Sequence, residues 1–233
     1  SLYTRGAGIS ITGRWQYRNT IAIKNVVIFN NHSEIGGGSV YLENSDVTFE
    51  NVLIYDNTST PNHDAGGGLY FEYNNNVSIR NTTIGNNSST AYDIYFGSNN
   101  HLELFNSIVW SNSHSYESIF VQNNNNNILI DYSNIDGGEL GAVVSENSSN
   151  NIITWGDNNI DGDPFFCNFQ LGDYSLAANS PLVGSGENGA NIGALGVGCE
   201  AIEAQSLWHV ATTGSDETGD GTEENPFATI QYG

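Results

Sequence analysis

A chain of 233 residues with 5 Lys+Arg against 26 Asp+Glu has a formal net charge of −21. Such a surface repels nucleic acid and anionic membranes, because both are held through basic residues. No apolar run approaches the roughly 20 residues of a membrane span, and 38% hydrophobic residues with few charges suit a thin, sheet-walled interior.

Taken from the N-terminus, Gly6–Ile11 looks like the end of an incoming coil. The chain also lacks methionine, so it reads as a piece of a longer polypeptide. From residue 21 one segment recurs about every 25 residues: IAIKNVVIFNN (21–31), VTFENVLIYDN (47–57), VSIRNTTIGNN (77–87) and LELFNSIVWSN (102–112). Asn25, Asn51, Asn81 and Asn106 share one slot; Asn31, Asn57, Asn87 and Asn112 share another, with Ile28, Ile54, Ile84 and Val109 apolar between them. A fixed period of this size marks a solenoid, whose units bury their apolar faces only by stacking.

Within each copy apolar and polar residues alternate, as in Val47-Thr48-Phe49-Glu50, which is the period of a strand. Further short strands are expected at Ser39–Leu42, Leu69–Phe71, Ile94–Phe96 and Ile119–Val121. Glycine runs at 36–38 and 66–68 imply either positive φ or a close backbone approach. Ile128–Ile135 and Ile153–Ile160 continue the register, with Tyr132 and Asp157 in the first Asn slot. These features predict an all-β fold, a right-handed parallel β-helix of about six coils over 1–160, stacked at roughly 4.8 Å. Asn tolerates left-handed turns and its amide both donates and accepts, so the eight aligned asparagines are expected to form structural ladders along the axis. An Asn-lined groove is the alternative.

From Asp161 the text stops repeating. Cys167 and Cys199 fall in this stretch and could close a loop of about 30 residues in an oxidising compartment; two buried thiols are the alternative. The run Asp157, Asn159, Asp161, Asp163, with Gly162 sixth, resembles the first half of a calcium loop, although the expected acidic twelfth position is Asn168. Asp216 and Asp220, near Gly221, Glu223 and Glu224, make a second partial match. Ca²⁺ is therefore the one cofactor expected, against the alternative of acidic surface turns.

Asp163-Pro164-Phe165-Phe166, Gly172-Asp173-Tyr174-Ser175-Leu176, Asn179-Ser180-Pro181 and Asn191-Ile192-Gly193-Ala194 follow in order. On these pieces, 161–199 resembles the closing segment of bacterial secreted right-handed parallel β-helix proteins with a choice-of-anchor-type ending. The resemblance implies a modular protein at the cell surface or outside the cell. After a linker (200–207), residues 208–233 resemble the cap that opens such a β-helix. Trp208, Pro226, Phe227 and Ile230 are the residues expected to meet a neighbour, either a second copy or a tandem domain.

Catalysis is not expected. A polyuronate lyase needs cations, and the chain offers only Arg5, Arg14, Arg18, Lys24 and Arg80. Asp56, His63 and Asp64, with His32 one coil away, are the residual acid–base or metal candidates, in a copy lengthened over Thr58–Ala65. The reading is a non-enzymatic structural module of a secreted bacterial surface fibre, adhesin or filament, assembled head-to-tail or as tandem domains. The alternative is a carbohydrate-active module, a glycan binder or polysaccharide hydrolase or lyase, using Trp15, Tyr17, Trp110 and Tyr116. Aligned outer rings would favour glycan binding; rings buried at corners would favour structure.

Overall fold

A computed structural model describes residues 6–14, 16–34, 37–59, 66–87, 92–111, 118–202, 209–219, 221 and 224–229. It divides into two units, 1–200 and 201–233. Among the described residues no helix is long and apolar enough to cross a membrane.

The first unit is a parallel β-solenoid with three sheets. The first sheet stacks Ile9–Thr12, Val40–Glu43, Gly66–Tyr73, Tyr92–Ser98, Ile119–Val121 and Ala142–Val144. The second stacks Asn19–Lys24, Ser45–Glu50, Asn76–Arg80, His101–Phe105, Asn127–Asp131 and Ile152–Trp155. The third stacks Val27–Phe29, Leu53–Tyr55, Thr83–Gly85, Ile108–Trp110 and Asn134–Ile135. About six coils result, as the period predicts. Every pairing in these sheets is parallel, for example Val47 with Val77 and Val77 with Leu102, and one register shift falls between Tyr92 and Ile94 where they pair with Gly66 and Leu69. One residue of slip would turn the apolar set outward, and the inward set here is a single buried core that includes Val40, Phe49, Ile54, Phe71, Ile84 and Leu104.

Most corners follow one rule, a left-handed residue followed by an inward polar one, with apolar Val26 and Val52 in the inward position after Asn25 and Asn51. Between the first and second sheets Asn44, Asn74, Asn99, Asn125 and Asn150 all have positive φ. Between the second and third sheets the same holds for Asn25, Asn51, Asn81, Asn106 and Tyr132, and after the third for Asn30, Asp56 and Asn86. Asn enters this region at less cost than other non-glycine residues.

The inward residue that follows carries the hydrogen bonds. Oδ1 of Asn100 accepts from the backbone N–H (3.1 Å) and the amide (2.9 Å) of Asn75 one coil earlier. Asn126 does the same for Asn100, and Asn151 for Asn126. At the next corner the ladder is made of hydroxyls: Thr82 N donates to Ser107 Oγ, Ser107 N to Ser133 Oγ, and Ser133 N to Asn159 Oδ1. At the third corner Asn57 Oδ1 receives Asn31 and Asn87 Oδ1 receives Asn57.

The second Asn slot thus forms a ladder through Asn31, Asn57 and Asn87; Asn112 lies outside the described residues. In the first slot the expectation needs correction. Asn25, Asn51, Asn81 and Asn106 supply turn geometry, with Asn51 Nδ2 donating to Asn25 Oδ1 (3.2 Å) as their ladder contact. Their side chains sit at the corner's outer rim, whereas the next residue points inward. The glycine runs answer close approach: a Cβ on Gly38 would lie 2.2 Å from Gly67 O, and one on Gly66 2.2 Å from Leu69 O.

The closing segment lies along the side of the tube. Phe166, Tyr174, Leu176, Leu182 and Ile192 pack on outward Leu53 and Ile108 of the third sheet, with Tyr55 and Trp110 at the margin. Gly85 makes room, since a Cβ there would lie 2.7 Å from Tyr174 Cε1. Glu187 N donates to Asn106 Oδ1 (2.7 Å) and Ala194 N to Thr83 Oγ1 (2.9 Å), fixing the segment laterally.

Asn100→Ala is expected to remove two accepted and two donated bonds inside the tube and cost about 3 kcal/mol. Asn125→Gly, at an exposed left-handed corner, should change stability by less than about 1 kcal/mol. Chemical denaturation of both variants checks the difference.

Candidate functional site

Three places concentrate chemistry. The first is the outer face of the first sheet, where alternation turns Tyr41, Tyr70, Tyr95 and Phe120 outward in one column. Their rings stack at centroid distances of 5.5 Å for Tyr41–Tyr70 and 4.7 Å for Tyr70–Tyr95, with Tyr92 stacked on Phe120 at 4.2 Å. Tyr41 and Tyr95 are buried, while Tyr70 and Phe120 are half-exposed. Beside the column, Glu43 accepts from the Tyr41 hydroxyl at 2.9 Å and from the Tyr73 hydroxyl. Glu72 hydrogen-bonds Tyr70, whose hydroxyl is pushed well above its usual range by burial first and by the Glu72 charge second.

The second place is internal. Gly8, Ser39, Gly68, Asp93 and Ser118 succeed one another one coil at a time through backbone hydrogen bonds and close approach. Asp93 is the acid in this column of small residues and is only 1% exposed. Its two carboxylate oxygens have no hydrogen-bond partner among the described residues. The Asn87 amide and backbone N–H approach it and oppose the shift, short of hydrogen-bonding geometry. Burial pushes Asp93 up to about 8, with Asp136 adding to the rise. Asp136 in turn is pushed up to about 6 by burial and by Asp161. The Tyr174 hydroxyl is likewise buried without a hydrogen-bond partner among the described residues, and burial followed by the Asp56 charge raises its pKa.

The third place is the closing segment. Cys167 and Cys199 are joined by a disulfide with a Cα–Cα distance of 5.9 Å, linking the outer strands of the small sheet Phe166–Asn168, Asp173–Ala177, Val197–Cys199.

The calcium candidates do not converge. Asn159 turns inward, accepting from Ser133 N and donating to Ile130 O and Gly156 O. Asp163 Oδ1 accepts from Phe165 N at 2.8 Å, while Asp157 and Asp161 are exposed. Among the described residues no group of three His, Cys, Asp or Glu side chains could hold a metal ion.

In the second unit Asp216 accepts from Ala228 N, Thr229 N and Thr229 Oγ1. Desolvation raises its pKa, but these bonds outweigh it and hold the carboxyl below its usual range. Asp220 lies outside the described residues, as do Trp208 and Ile230. Phe227 pairs with Val210 within the unit, and Pro226 O accepts from Ser215 N.

Among the acid–base candidates, His63 and Asp64 lie outside the described residues. His32 Nδ1 is 2.8 Å from Thr58 Oγ1, and Asp56 accepts from the Asn86 amide at a left-handed corner. Of the aromatic candidates, Trp110 packs beneath the closing segment and Tyr17 is exposed; Trp15 and Tyr116 lie outside the described residues.

Sequence reasoning missed both the tyrosine column and Asp93. The residues before each first-sheet apolar position carry the signal: Tyr41, Tyr70, Tyr95 and Phe120 recur at the coil period.

The pKa of Asp93 is higher in the folded chain than its ordinary 3.8, so the stability of the neutral buried acid is complete below that value and lost as pH rises towards 8. Asp93→Asn should therefore match the parent near about pH 4 and exceed it increasingly up to about pH 8, by at most about 1.4 kcal/mol per pH unit. Thermal melts of both proteins across that range check the sign. Reducing the disulfide, which spans a separation of 32 residues, should cost about 3–4 kcal/mol on loop-entropy grounds. Melts with and without reductant measure it.

No curated protein and no solved structure matches the chain. The sequence profile of the right handed beta helix region matches residues 7–180, over the same coils that the three sheets build. The chain belongs to the right handed beta helix family.

Proposed function

We propose that this chain is a structural module of a secreted bacterial surface fibre, adhesin or extracellular filament, assembled head-to-tail or as tandem domains. The fold is compatible with structural and with carbohydrate-active roles, so the choice rests on how the side chains are used. The observation that carries the structural reading is the continuity of the corner ladders. Asn75, Asn100, Asn126 and Asn151 direct their polar atoms to the neighbouring coils and the adjoining corner. Buried polar groups satisfied in this way hold a tube rigid and resist local opening.

The cations support the same reading. Arg18 is bound by Asp46 at 2.7 Å, Lys24 lies 2.5 Å from Glu50, and Arg80 sits over the Phe105 ring and near Glu187. Arg18, Lys24 and Arg80 each face a carboxylate of the chain itself, which is a poor arrangement for neutralising an acidic glycan. The disulfide fits an oxidising, extracellular setting.

One observation favours the carbohydrate-active reading: the tyrosine column of the first sheet, flanked by Glu43 and Glu72. Tyr70→Ala separates the two readings. A structural column predicts lower thermal stability, with no neutral-glycan binding or hydrolysis by either protein on an array and in reducing-sugar assays. Glycan binding by the parent that Tyr70→Ala abolishes would reject the structural reading.

A further inference from the structure

Register sets out the phenols of the first sheet. Tyr41 pairs with Tyr70 and Tyr70 with Tyr95; the same column holds Ser10 before Tyr41, and Phe120 and Val143 after Tyr95. Three phenols therefore stand on three successive coils, bounded on both sides by residues that carry none. Parallel pairing repeats the side-chain direction from coil to coil, so the rings stack. The closest pair of the column is Tyr70–Tyr95, with centroids 4.7 Å apart and planes 12° from parallel. Tyr41–Tyr70 follows at 5.5 Å and 20°.

The hydroxyls are placed to lose protons. Tyr41 donates to Glu43 at 2.9 Å, and Tyr70 hydrogen-bonds Glu72. The Tyr41 and Tyr95 hydroxyls are close enough to that of Tyr70 to oppose its ionisation. A phenol gives up an electron more readily when a carboxylate takes its proton in the same step, which is the logic of general-base catalysis. Access is graded: Tyr70 is half-exposed, whereas Tyr41 and Tyr95 are 1% and 3% exposed. Competing targets are few. The chain has no methionine and its two cysteines are joined, so the thioether and thiol that oxidants attack first are missing.

We infer that Tyr70 and Tyr95 form an oxidative coupling site, at which a haem peroxidase with hydrogen peroxide joins the two rings into a dityrosine that staples adjacent coils. The oxidant takes one electron from Tyr70 while Glu72 takes its phenolic proton. Tyr95 then passes a hydrogen atom to the Tyr70 phenoxyl radical, and Tyr70 is oxidised a second time by the same route. The two radicals join through ring carbons ortho to oxygen. The hydrogens on those carbons return to the oxygens as the rings regain aromaticity. In sum two electrons and two protons leave the protein, and they convert one hydrogen peroxide into two waters.

The chemistry stands apart from the structural reading, whereas its use to the protein rests on that reading. A bond between residues 70 and 95 closes a loop about one coil long and restricts the unfolded chain as a disulfide does. The disulfide of this chain lies within the closing segment. The dityrosine would instead tie coil to coil, along the axis on which a fibre bears load.

The test treats the full chain with a haem peroxidase and hydrogen peroxide, dilute enough to suppress coupling between copies. The parent should gain dityrosine fluorescence while running as a monomer on a denaturing gel, and its mass should fall by two hydrogens. Peptide mapping should place the link between Tyr70 and Tyr95, and the melting midpoint should rise by at least about 5 °C. Tyr70→Phe and Tyr95→Phe keep both rings and should each abolish the product, with circular dichroism as the folding control. Tyr17→Phe, which removes an exposed phenol outside the column, should form it as the parent does. Glu72→Gln should slow its formation at least about tenfold; an unchanged rate would overturn the part given to Glu72. No dityrosine in the folded parent, or a link mapped to another pair of tyrosines, overturns the inference and leaves the structural reading in place. Coupling at Tyr70–Tyr95 in a parent that also cleaves glycans upholds the inference and overturns that reading.

Discussion

The structure depends on one hydrogen-bonding arrangement that recurs at most of its corners. A β-solenoid turns its backbone three times per coil, and each turn would leave buried N–H and C=O groups without partners. Here a side-chain oxygen one coil later accepts the corner N–H, as Asn100 does for Asn75 and Ser107 for Thr82. The donor side of the same side chain returns to a carbonyl, as Asn100 Nδ2 does to Phe71 O. Consecutive coils therefore have to keep register, and register in turn keeps the apolar set inside.

This arrangement explains the composition. Most corners pair a left-handed residue with a short inward polar one, and Asn serves both roles. Among the described non-glycine residues with positive φ, all but Asp56, Tyr132 and Phe165 are asparagines. The richness in Asn is thus a consequence of corner geometry. Long basic side chains have little place in it: among the described residues Arg18 and Lys24 pair with acids of the next coil and Arg80 lies near Glu187 of the closing segment.

The lateral position of the closing segment gives the third sheet a second apolar layer. Leu53, Tyr55, Ile108 and Trp110 point outward, which an isolated coil would expose to water. The same placement leaves Val27 and Phe29, the first members of those columns, 54% and 48% exposed. Phe29 stacks on Tyr55 at 5.2 Å, so the aromatic column continues to the first strand of the third sheet. The segment covers the middle coils of this face, and Val27 and Phe29 lie beyond its contacts.

The sequence by itself determined the solenoid, its period, the inward columns and the second Asn ladder, because strand alternation and a fixed repeat are local and regular. It did not show which asparagine at a corner points inward. Asn74 and Asn75, or Asn99 and Asn100, are adjacent and chemically identical, and only backbone curvature separates the turn residue from the ladder residue. The tertiary structure alone decided that the closing segment covers a side and how the rings of Tyr41, Tyr70 and Tyr95, which recur at the coil period, stack on one another. It also decided that the Asp93 carboxylate lies buried without a hydrogen-bond partner among the described residues. The physical reason is the same throughout: these contacts join residues one coil or many coils apart, and their geometry exists only once the coils are stacked.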